Sequence, residues 1–374
     1  MREGWVEKKL GNLCVVLDSQ RKPVAKINRK KGIFPYYGAN GLLDYVDDYI
    51  FEGKYVLLGE DGANWDSNAS SSYIVDGKIW VNNHAHVIKV NNLLNDEYLV
   101  YYLNYKDLNK YISGAIIKKL TQSSLKEINI EYPDLSFQEK IVSELDKISE
   151  MISKYDEQLK ELDKLSQSIF YEMFGDPVEN EKGWEVKKLE YICDVRDGTH
   201  DSPKYVLKSE YILITSKNIV NGKIDFENVN FITEEDYVKI NKRSKVDDGD
   251  IIMPMIGTIG NPIIVQTNNI YKFCIKNVAL IKFINEATIK NLFLLYLLKT
   301  TAYAEYLISL NKGGTQKFVS LGIIRNLPII LPPLPLQQSF ARKIEAIEAM
   351  KSKVREAKKE AETLLAARMQ YWFE

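Results

Sequence analysis

Two long stretches of the chain place apolar residues three and four positions apart, which is the seam of a coiled coil. The first stretch begins at Ser136, which with Glu139 has the spacing of a capping box, and Gly175-Asp176-Pro177 predicts its end. We predict two helices of nearly forty residues, each about 55 Å long at ~1.5 Å per residue. The seam positions are Phe137, Ile141, Leu145, Ile148, Ile152, Tyr155, Leu159, Leu162, Ile169 and Met173, and then, less regularly, Phe340, Ile344, Ile347, Val354, Ala361, Leu365 and Trp372.

The segments before these helices read as mixed α/β or α+β domains. Short apolar runs at 55–58, 79–81, 87–90 and 251–253 predict strands. Gly, Asn and Asp turns separate them, and helical patterns appear at 96–111 and 287–310. The predicted division is a first globular domain at 1–135, a first spacer helix at 136–174, a second domain with its linker at 175–334, and a second helix at 335–374.

The chain contains the same unit twice. Gly4-Trp5-Val6-Glu7-Lys8-Lys9-Leu10 recurs as Gly183-Trp184-Glu185-Val186-Lys187-Lys188-Leu189. Later in each copy a second pattern recurs, and such self-similarity is the mark of a repeated structural unit. This pattern aligns Leu125, Ile128, Pro133, Leu135, Gln138 and Phe174 with Ile324, Leu327, Pro332, Leu334, Gln337 and Phe373.

The reach of the linker predicts how the two helices pair. Residues 175–182 span at most ~28 Å, about half the length of the first helix. The second domain must then lie near the far end of that helix, and the second helix must run back. The expected fold is therefore α+β: two pseudo-two-fold-related globular α/β domains separated by a long antiparallel two-helix coiled coil.

Composition and charge limit the class of protein. The apolar and charged fractions, 45% and 27%, are those of an ordinary soluble protein. The formal net charge of −1 means that any contact with nucleic acid depends on local basic patches. The N-terminus has no apolar signal core, 292–298 is too short to span a bilayer, and the three cysteines form no CxxC pair. We expect a cytoplasmic protein that does not enter a membrane.

Four motifs, in this order along the whole chain, resemble the specificity subunit of type I restriction-modification systems. They are the duplicated Gly-Trp-x-x-Lys-Lys-Leu openings, the run from Pro35 to Gly41 (PYYGANG), the run from Gly249 to Gly260 (GDIIMPMIGTIG), and the run from Leu331 to Gln338 (LPPLPLQQ). The first copy departs from the last pattern, with Tyr132-Pro133-Asp134-Leu135 in that place.

The resemblance implies a subunit that reads a bipartite, asymmetric site in double-stranded DNA and has no catalytic activity itself. Two modification subunits, which bind S-adenosylmethionine and methylate adenine, are the implied partners on the helices. Restriction subunits with an ATP-dependent motor join that core. S-adenosylmethionine, ATP and Mg are expected in these partners, and no cofactor or metal is expected in this chain.

One run of the first copy is a candidate phosphate-binding loop. Residues 20–31 carry six basic residues and no acidic one, and such runs bind phosphates by releasing counterions. A solvated loop is the plainer interpretation, and the resemblance favours backbone contact. The basic residues are Arg21, Lys22, Lys26, Arg29, Lys30 and Lys31.

Other polar residues are candidates for contacts with base edges or with the DNA backbone. For each one alone, a turn-forming or internally satisfied polar group is an equal alternative. Gly257-Thr258-Ile259-Gly260 is more simply a turn than a phosphate loop. The candidates of the first copy are Asn40, Asn64, Trp65, Asn82, Asn83, His84, His86, Lys118, Lys119 and Gln122, and those of the second are Arg196, Thr199, His200, Lys217, Asn218, Thr258, Gly313, Gly314, Gln316 and Lys317.

Rival functions have weaker support in the sequence. His84 and His86 on one strand face would form a metal pair, but no third ligand is evident. Phosphate-binding glycine loops and the Pro-Pro-aromatic motif of adenine methyltransferases are missing, which disfavours a self-sufficient methyltransferase. A coiled-coil scaffold whose end domains bind proteins remains the alternative, because the net charge is close to zero.

Overall fold

A computed structural model describes residues 2–114, 116–220, 222–256, 260–284, 288–310 and 318–374. The chain divides into two compact units: unit 1 is Met1–Glu157 with Arg355–Glu374, and unit 2 is Gln158–Val354. Each unit therefore contains one copy of the globular segment and part of each long helix.

The first copy contributes two four-stranded sheets and two short helices to unit 1. One sheet has the order β2-β9-β6-β7 and the other the order β4-β3-β8-β5, in which β3 and β8 are parallel. Strand β1 pairs antiparallel with β12, and so joins the opening motif to the strand before the first long helix. The elements are β1 (Val6–Lys9), β2 (Cys14–Val16), β3 (Lys31–Gly38), β4 (Gly41–Val46), β5 (Phe51–Glu52), β6 (Tyr55–Gly59), β7 (Ser72–Val75), β8 (Lys78–Val81), β9 (Ala85–Val90), α1 (Asp96–Tyr105), β10 (Ile112–Ser113), β11 (Lys119–Leu120), α2 (Gln122–Lys126), β12 (Asn129–Tyr132) and α3 (Leu135–Phe174).

Unit 2 repeats the first of these sheets, the parallel pair and the opening strand pair, while the edge strand of its second sheet, β15-β19-β16-β22, lies on the other side. Its sheet β14-β23-β20-β21 has the strand order of β2-β9-β6-β7, its parallel pair β16–β22 matches β3–β8, and β13 pairs with β24 as β1 does with β12. The predicted repeat and the mixed fold class are confirmed. The elements are β13 (Glu185–Lys188), β14 (Cys193–Asp197), β15 (Tyr205–Val206), β16 (Tyr211–Thr215), β17 (Ile219–Val220), β18 (Lys223–Ile224), β19 (Asn230–Ile232), α4 (Glu234–Ser244), β20 (Ile251–Pro254), β21 (Ile263–Ile264), β22 (Lys272–Lys276), β23 (Val278–Phe283), α5 (Asn291–Lys299), α6 (Thr301–Ser309), α7 (Leu321–Arg325), β24 (Pro328–Leu331) and α8 (Leu334–Phe373).

The two long helices, α3 and α8, pair antiparallel within each unit. In unit 1 the ring centroids of Phe137 and Trp372 are 5.7 Å apart, and Asp156 forms an ion pair of 2.6 Å with Lys358 further along. In unit 2, Asp163 pairs with Lys351 at 2.6 Å and Phe170 packs on Phe340 at 5.6 Å. Numbering rises along one helix as it falls along the other, as predicted. Each helix has 40 residues, about 60 Å at ~1.5 Å per residue.

The predicted capping box at the start of α3 is wrong. Its first turn is capped by Asp134, whose Oδ1 accepts from the Phe137 amide at 3.0 Å. Asp134 precedes the first helical residue, Leu135, where a side-chain oxygen can reach the orphan amides, whereas Ser136 is already inside the helix. The predicted end at Gly175 is confirmed, since α3 stops at Phe174 and Gly175 has a φ of +74°.

The helical patterns before each long helix are shorter or interrupted in the structure. The pattern at 96–111 ends as α1 at Tyr105, and a separate 3-10 turn follows at Asn109–Tyr111. The pattern at 287–310 becomes two helices, α5 and α6, which are separated at Thr300. The Thr300 hydroxyl oxygen accepts from the Tyr303 amide, which caps the second helix.

A fully buried glutamine attaches the start of each long helix to its unit. Gln138 Nε2 donates to the carbonyls of Leu93 and Pro133 at 2.9 Å each, and its Oε1 accepts from the Asn95 amide at 2.9 Å. Gln337 makes the same three kinds of bond, to Thr288, Pro332 and Lys290. Asn95 and Lys290 are the N-cap residues of α1 and α5.

Neither a disulfide nor a membrane-spanning helix is present among the described residues. The three cysteines are free thiols, and burial raises the pKa of Cys193 and Cys274 to about 12. Among the described residues, every helix is too short or too polar to span a bilayer.

Candidate nucleic-acid interface

A buried network of charged side chains lies where two loops and two strands of unit 1 meet. His86, on β9, is fully buried, and its Nδ1 lies 2.6 Å from Asp18 Oδ2 while Nε2 lies 2.8 Å from the Leu120 carbonyl. Glu60, after β6, pairs with Arg21 at 2.5 Å and with Lys119 at 2.7 Å. The network joins the loops that begin at Asp18 and Glu60 to β9 and β11.

The pairing keeps both acids of this network ionised. Burial would raise the pKa of Asp18, but bonds with His86 and the Val87 amide and the charge of Arg21 outweigh it, and the pKa lies below its usual range. Burial acts on Glu60 in the same way, and the bonds from Lys119 and Arg21 hold its pKa below the usual value.

These residues also form the candidate metal site of the described chain. Ligand atoms of Asp18, Glu60 and His86 lie within 4.8 Å of one another. Arg21 and Lys119 already neutralise the two carboxylates, so a divalent ion would have to displace two ion pairs. The donor set fits an internal ion-pair network better than it fits a metal.

His84 stands beside this network but faces solvent. Its Nδ1 lies 2.6 Å from Asp61 Oδ1, and half of the side chain is exposed. Asp61 directly follows Glu60, so the network that holds Glu60 also places the carboxylate that orients His84. The ring therefore presents Nε2 in a set direction. His84 lies just before β9 and does not share a strand face with His86, which bonds to a different aspartate.

The basic loop of unit 1 divides into exposed lysines and engaged arginines. Lys22, Lys26, Lys30 and Lys31 are exposed. Arg29 stacks over the Tyr36 ring at 4.3 Å and pairs with Asp44 at 3.2 Å. Like Arg21, it therefore supports the loop from inside, because its donors already have acceptors.

A cleft of about 460 Å³ separates this loop from the turn before β9. Pro23, Val24 and Arg29 line one side, and Asn82, Asn83 and His84 line the other. Asn83 is exposed, whereas Asn82 is buried and accepts from the His84 amide at 2.8 Å. The structure thus brings together phosphate-binding and base-reading candidates that are some sixty positions apart in the sequence.

The remaining candidates of unit 1 border the same network. Asn40 is exposed and donates to the Gly62 carbonyl at 3.0 Å, and Gln122 is exposed near Asp18 at 3.4 Å. Lys118 is exposed next to the engaged Lys119, and Asn64 is exposed but accepts from the Asp66 amide at 3.0 Å.

Unit 2 has a related but different cluster. His200 Nε2 lies 2.6 Å from Asp197 Oδ2 and its Nδ1 lies 2.9 Å from Asn277 Oδ1, with half of the side chain exposed. Arg243 pairs with the second oxygen of Asp197. Arg196 is held by Asp194 at 2.8 Å, and this carboxylate bond raises the pKa of the guanidinium.

Three predicted contact residues have structural roles instead, because each is buried and its polar atoms already have partners. The Trp65 indole donates to the Gly59 carbonyl at 3.0 Å. Asn218 donates to the Asn228 carbonyl at 2.8 Å and accepts from the Thr215 amide at 2.9 Å. His86 is the third, because both of its ring nitrogens are engaged, and base contact is no longer proposed for these three residues. Asn82 is also buried, but it lines the cleft beside His84 and stays a candidate.

The last candidates fall in different places. Lys217 is exposed, and the half-buried Thr199 uses its hydroxyl oxygen to accept from the Asp201 amide at 3.1 Å. Five others lie outside the described residues: Thr258, Gly313, Gly314, Gln316 and Lys317.

The comparisons agree with the duplicated architecture. The family model of the type I restriction modification DNA specificity domain matches residues 2–164 and again residues 181–362, one match for each copy. The chain belongs to this family. DNA target recognition within a restriction-modification complex is its function, and the prediction made from the motifs is confirmed.

Individual members of the family resemble the chain over nearly its full length. A protein of Haemophilus influenzae named as a type I restriction enzyme specificity subunit is 28% identical over 361 residues, which cover 93% of this chain and 89% of the relative. The MjaVIII specificity subunit of Methanocaldococcus jannaschii is 24% identical over 402 residues, covering 97% and 92%. The crystal structure of the type I restriction-modification system S subunit from M. genitalium shares the fold, with a TM-score of 0.57, 13% identity, and coverage of 99% and 96%.

Sequence reasoning on this specificity subunit missed the acidic residues that orient the histidines. Asp18 and Asp197 stand at the same distance after Gly4 and Gly183, so aligning the two openings residue by residue would have found them. Arg21 and His200 also share an offset, so the same site holds an arginine in one unit and a histidine in the other. Asp61 and Asn277 give no such signal, because their partners come from other strands.

Proposed function

We propose that each unit of this specificity subunit reads one half of a bipartite, asymmetric site in double-stranded DNA. The observation that carries the proposal is a duplicated scaffold with different exposed polar groups at equivalent places. The Asp18 site holds Arg21 and a buried His86, whereas the Asp197 site holds the exposed His200 and Arg243. Two units with a similar scaffold but different exposed residues are suited to a DNA site whose two halves differ in sequence.

In this proposal the exposed lysines bind the DNA backbone, and other polar groups contact the bases. Lys22, Lys26, Lys30, Lys31 and Lys118 would bind phosphates, which give affinity and register without sequence information. Asn83, His84 and Gln122 in unit 1, and Lys217 in unit 2, would address base edges through hydrogen bonds. His200, whose two ring nitrogens already bond to Asp197 and Asn277, would contact a base through the exposed part of its ring. We assign catalysis to partners: modification subunits that bind S-adenosylmethionine, and restriction subunits that use ATP and Mg.

The test replaces one oriented histidine at a time. The full chain, assembled with its modification subunits, carries either His84→Ala or His200→Ala, and methylated adenines are mapped across a DNA library. We expect His84→Ala to relax discrimination at positions of one half-site and His200→Ala at positions of the other. Each lost base contact should reduce discrimination by about 1–3 kcal/mol.

The matched control is Lys89→Ala, a change to an exposed residue of β9 on unit 1 outside the candidate interface. It should leave both half-sites unchanged. A contiguous recognition site, or relaxation of the same positions by both histidine variants, would overturn the proposal that each unit reads one half.

A further inference from the structure

Two solvent-exposed isoleucines lie at the tip of the β10–β11 hairpin in unit 1. Ile116 is 97% exposed and Ile117 is 70% exposed, although both belong to a residue type that is among the most often buried. They are adjacent, so together they form one apolar tip, which we define as Ile116 and Ile117. An exposed apolar surface flanked by polar residues is typical of a contact site.

The hairpin that carries the apolar tip is firmly attached at its base. Leu120 is buried in the core of unit 1, and Lys119 pairs with Glu60 at 2.7 Å. Gly114 has a φ of +100°, and a side chain there would come within 2.1 Å of the Ile117 carbonyl oxygen. The turn therefore requires glycine, and it projects the tip from the same network that orients His84.

The charges around the tip favour a polyanion as the surface that covers it. Lys118 and Lys110 are exposed beside the hairpin, and the lysines of the basic loop belong to the same unit. The acids closest to the hairpin already have partners, because Asp61 bonds to His84, Asp107 accepts from Asn109, and Glu127 pairs with Lys9. Duplex DNA combines phosphates for these lysines with apolar groups within its grooves.

The dimensions of the hairpin select one groove. Two paired strands lie ~4.8 Å apart, and such a ribbon with its side chains fits the major groove, about 12 Å wide, but not the minor groove, about 6 Å wide. The apolar group that the major groove presents is the C5-methyl of thymine. Resting on the function proposed above, we propose that Ile116 and Ile117 recognise thymine methyl groups in the half-site read by unit 1.

The second copy of the unit differs at these positions. In the sequence, Thr315 and Gln316 align with Ile116 and Ile117 when the repeats are superposed on Gln138 and Gln337. These residues lie outside the described part of the chain. We therefore expect paired isoleucines to recognise thymine only in unit 1, so the methyl contact should occur in one half-site.

The test removes the methyl group and the isoleucines in turn. In the mapped recognition site, each thymine is replaced singly by uracil, and binding by the full chain with its modification subunits is measured. We expect one or two thymines of the unit 1 half-site to be sensitive, with binding about fourfold weaker per lost methyl group. The double variant Ile116→Ala/Ile117→Ala should bind the thymine and uracil sites equally.

Controls separate this inference from the function on which it rests. Val15→Ala, which shortens an exposed apolar side chain of β2, should keep the thymine sensitivity. In a site weakened by a uracil substitution, 5-methylcytosine placed at a different position should not restore binding. If the wild-type complex binds its site but ignores every uracil substitution, or if that half-site contains no A·T pair, the methyl contact is wrong while DNA recognition stands. A complex that binds no DNA would instead overturn the proposed function.

Discussion

At the scale of single residues, the buried network of unit 1 shows how polar side chains can support an interface without touching a ligand. The side chains of Asp18 and Glu60 are almost inaccessible, yet both stay ionised because His86, Arg21 and Lys119 surround them. Removing one member leaves the others buried without compensation, which costs more than an exposed pair contributes. The network therefore holds loops whose outer residues, such as His84, remain available.

The depressed pKa values of Asp18 and Glu60 predict acid sensitivity. Because the folded pKa values lie below the unfolded ones, the stabilisation is fully present above about pH 4.5 and is lost as pH falls through the folded pKa values. Glu60→Gln should lower the stability of unit 1 by about 3 kcal/mol at pH 7 and flatten its loss in acid. Hydrogen exchange of β6 and β9 at pH 7 and pH 4 measures this.

The control for that experiment is Glu127→Gln, which removes a carboxylate whose pair with Lys9 is more than half exposed. It should change stability by less than about 1 kcal/mol. If Glu60→Gln behaves like Glu127→Gln at pH 7, the network does not stabilise the loops.

At the scale of elements, the two long helices depend on more than their apolar seams. Gln138 and Gln337 lie in the first turns of α3 and α8, and each makes three hydrogen bonds with backbone groups just before its own helix and at the start of α1 or α5. Both side chains are fully buried, so their own amide groups depend on these backbone partners for hydrogen bonds. The repeated glutamine thus ties each long helix to the globular part of its own unit.

Replacing these glutamines should destabilise one unit at a time. Gln138→Ala leaves the Asn95 amide and the Leu93 carbonyl unsatisfied, and we expect a loss of about 2–3 kcal/mol in unit 1. Gln337→Ala should have a similar effect on unit 2. Hydrogen exchange by mass spectrometry measures the two units separately, and the exposed Gln158→Ala is the control. Equal loss of protection in both units from either variant would contradict a local role.

At the scale of the whole molecule, positive and negative charges nearly cancel, so the protein has no large excess of positive charge. The formal net charge is −1, so attraction to DNA cannot come from a general positive field. It must come from local clusters such as the exposed lysines of the basic loop. Lys30 is 83% exposed, and Asp47, its nearest acid at 4.0 Å, is at the limit of an ion pair.

Substituting Lys30 and Lys31 should therefore weaken binding on every DNA sequence alike. We expect Lys30→Ala/Lys31→Ala to reduce the slope of log binding constant against log salt by about 0.9 for each lysine. Fluorescence anisotropy across a salt series measures the slope, with Lys8→Ala/Lys9→Ala in β1 as the control of equal charge change. An unchanged slope would remove both lysines from the interface.

The sequence by itself determined the repeat, the two long helices, their antiparallel pairing and the family. These features follow from patterns within short stretches, such as the three-four spacing and the matched openings, and local patterns survive folding. Only the tertiary structure decided which polar candidates face outward. His86 bonds to Asp18, 68 positions away, and Trp65 turns its indole to Gly59, so both are enclosed while His84 is not. Burial of a polar group depends on whether distant backbone and side chains satisfy it, and composition carries no record of that pairing.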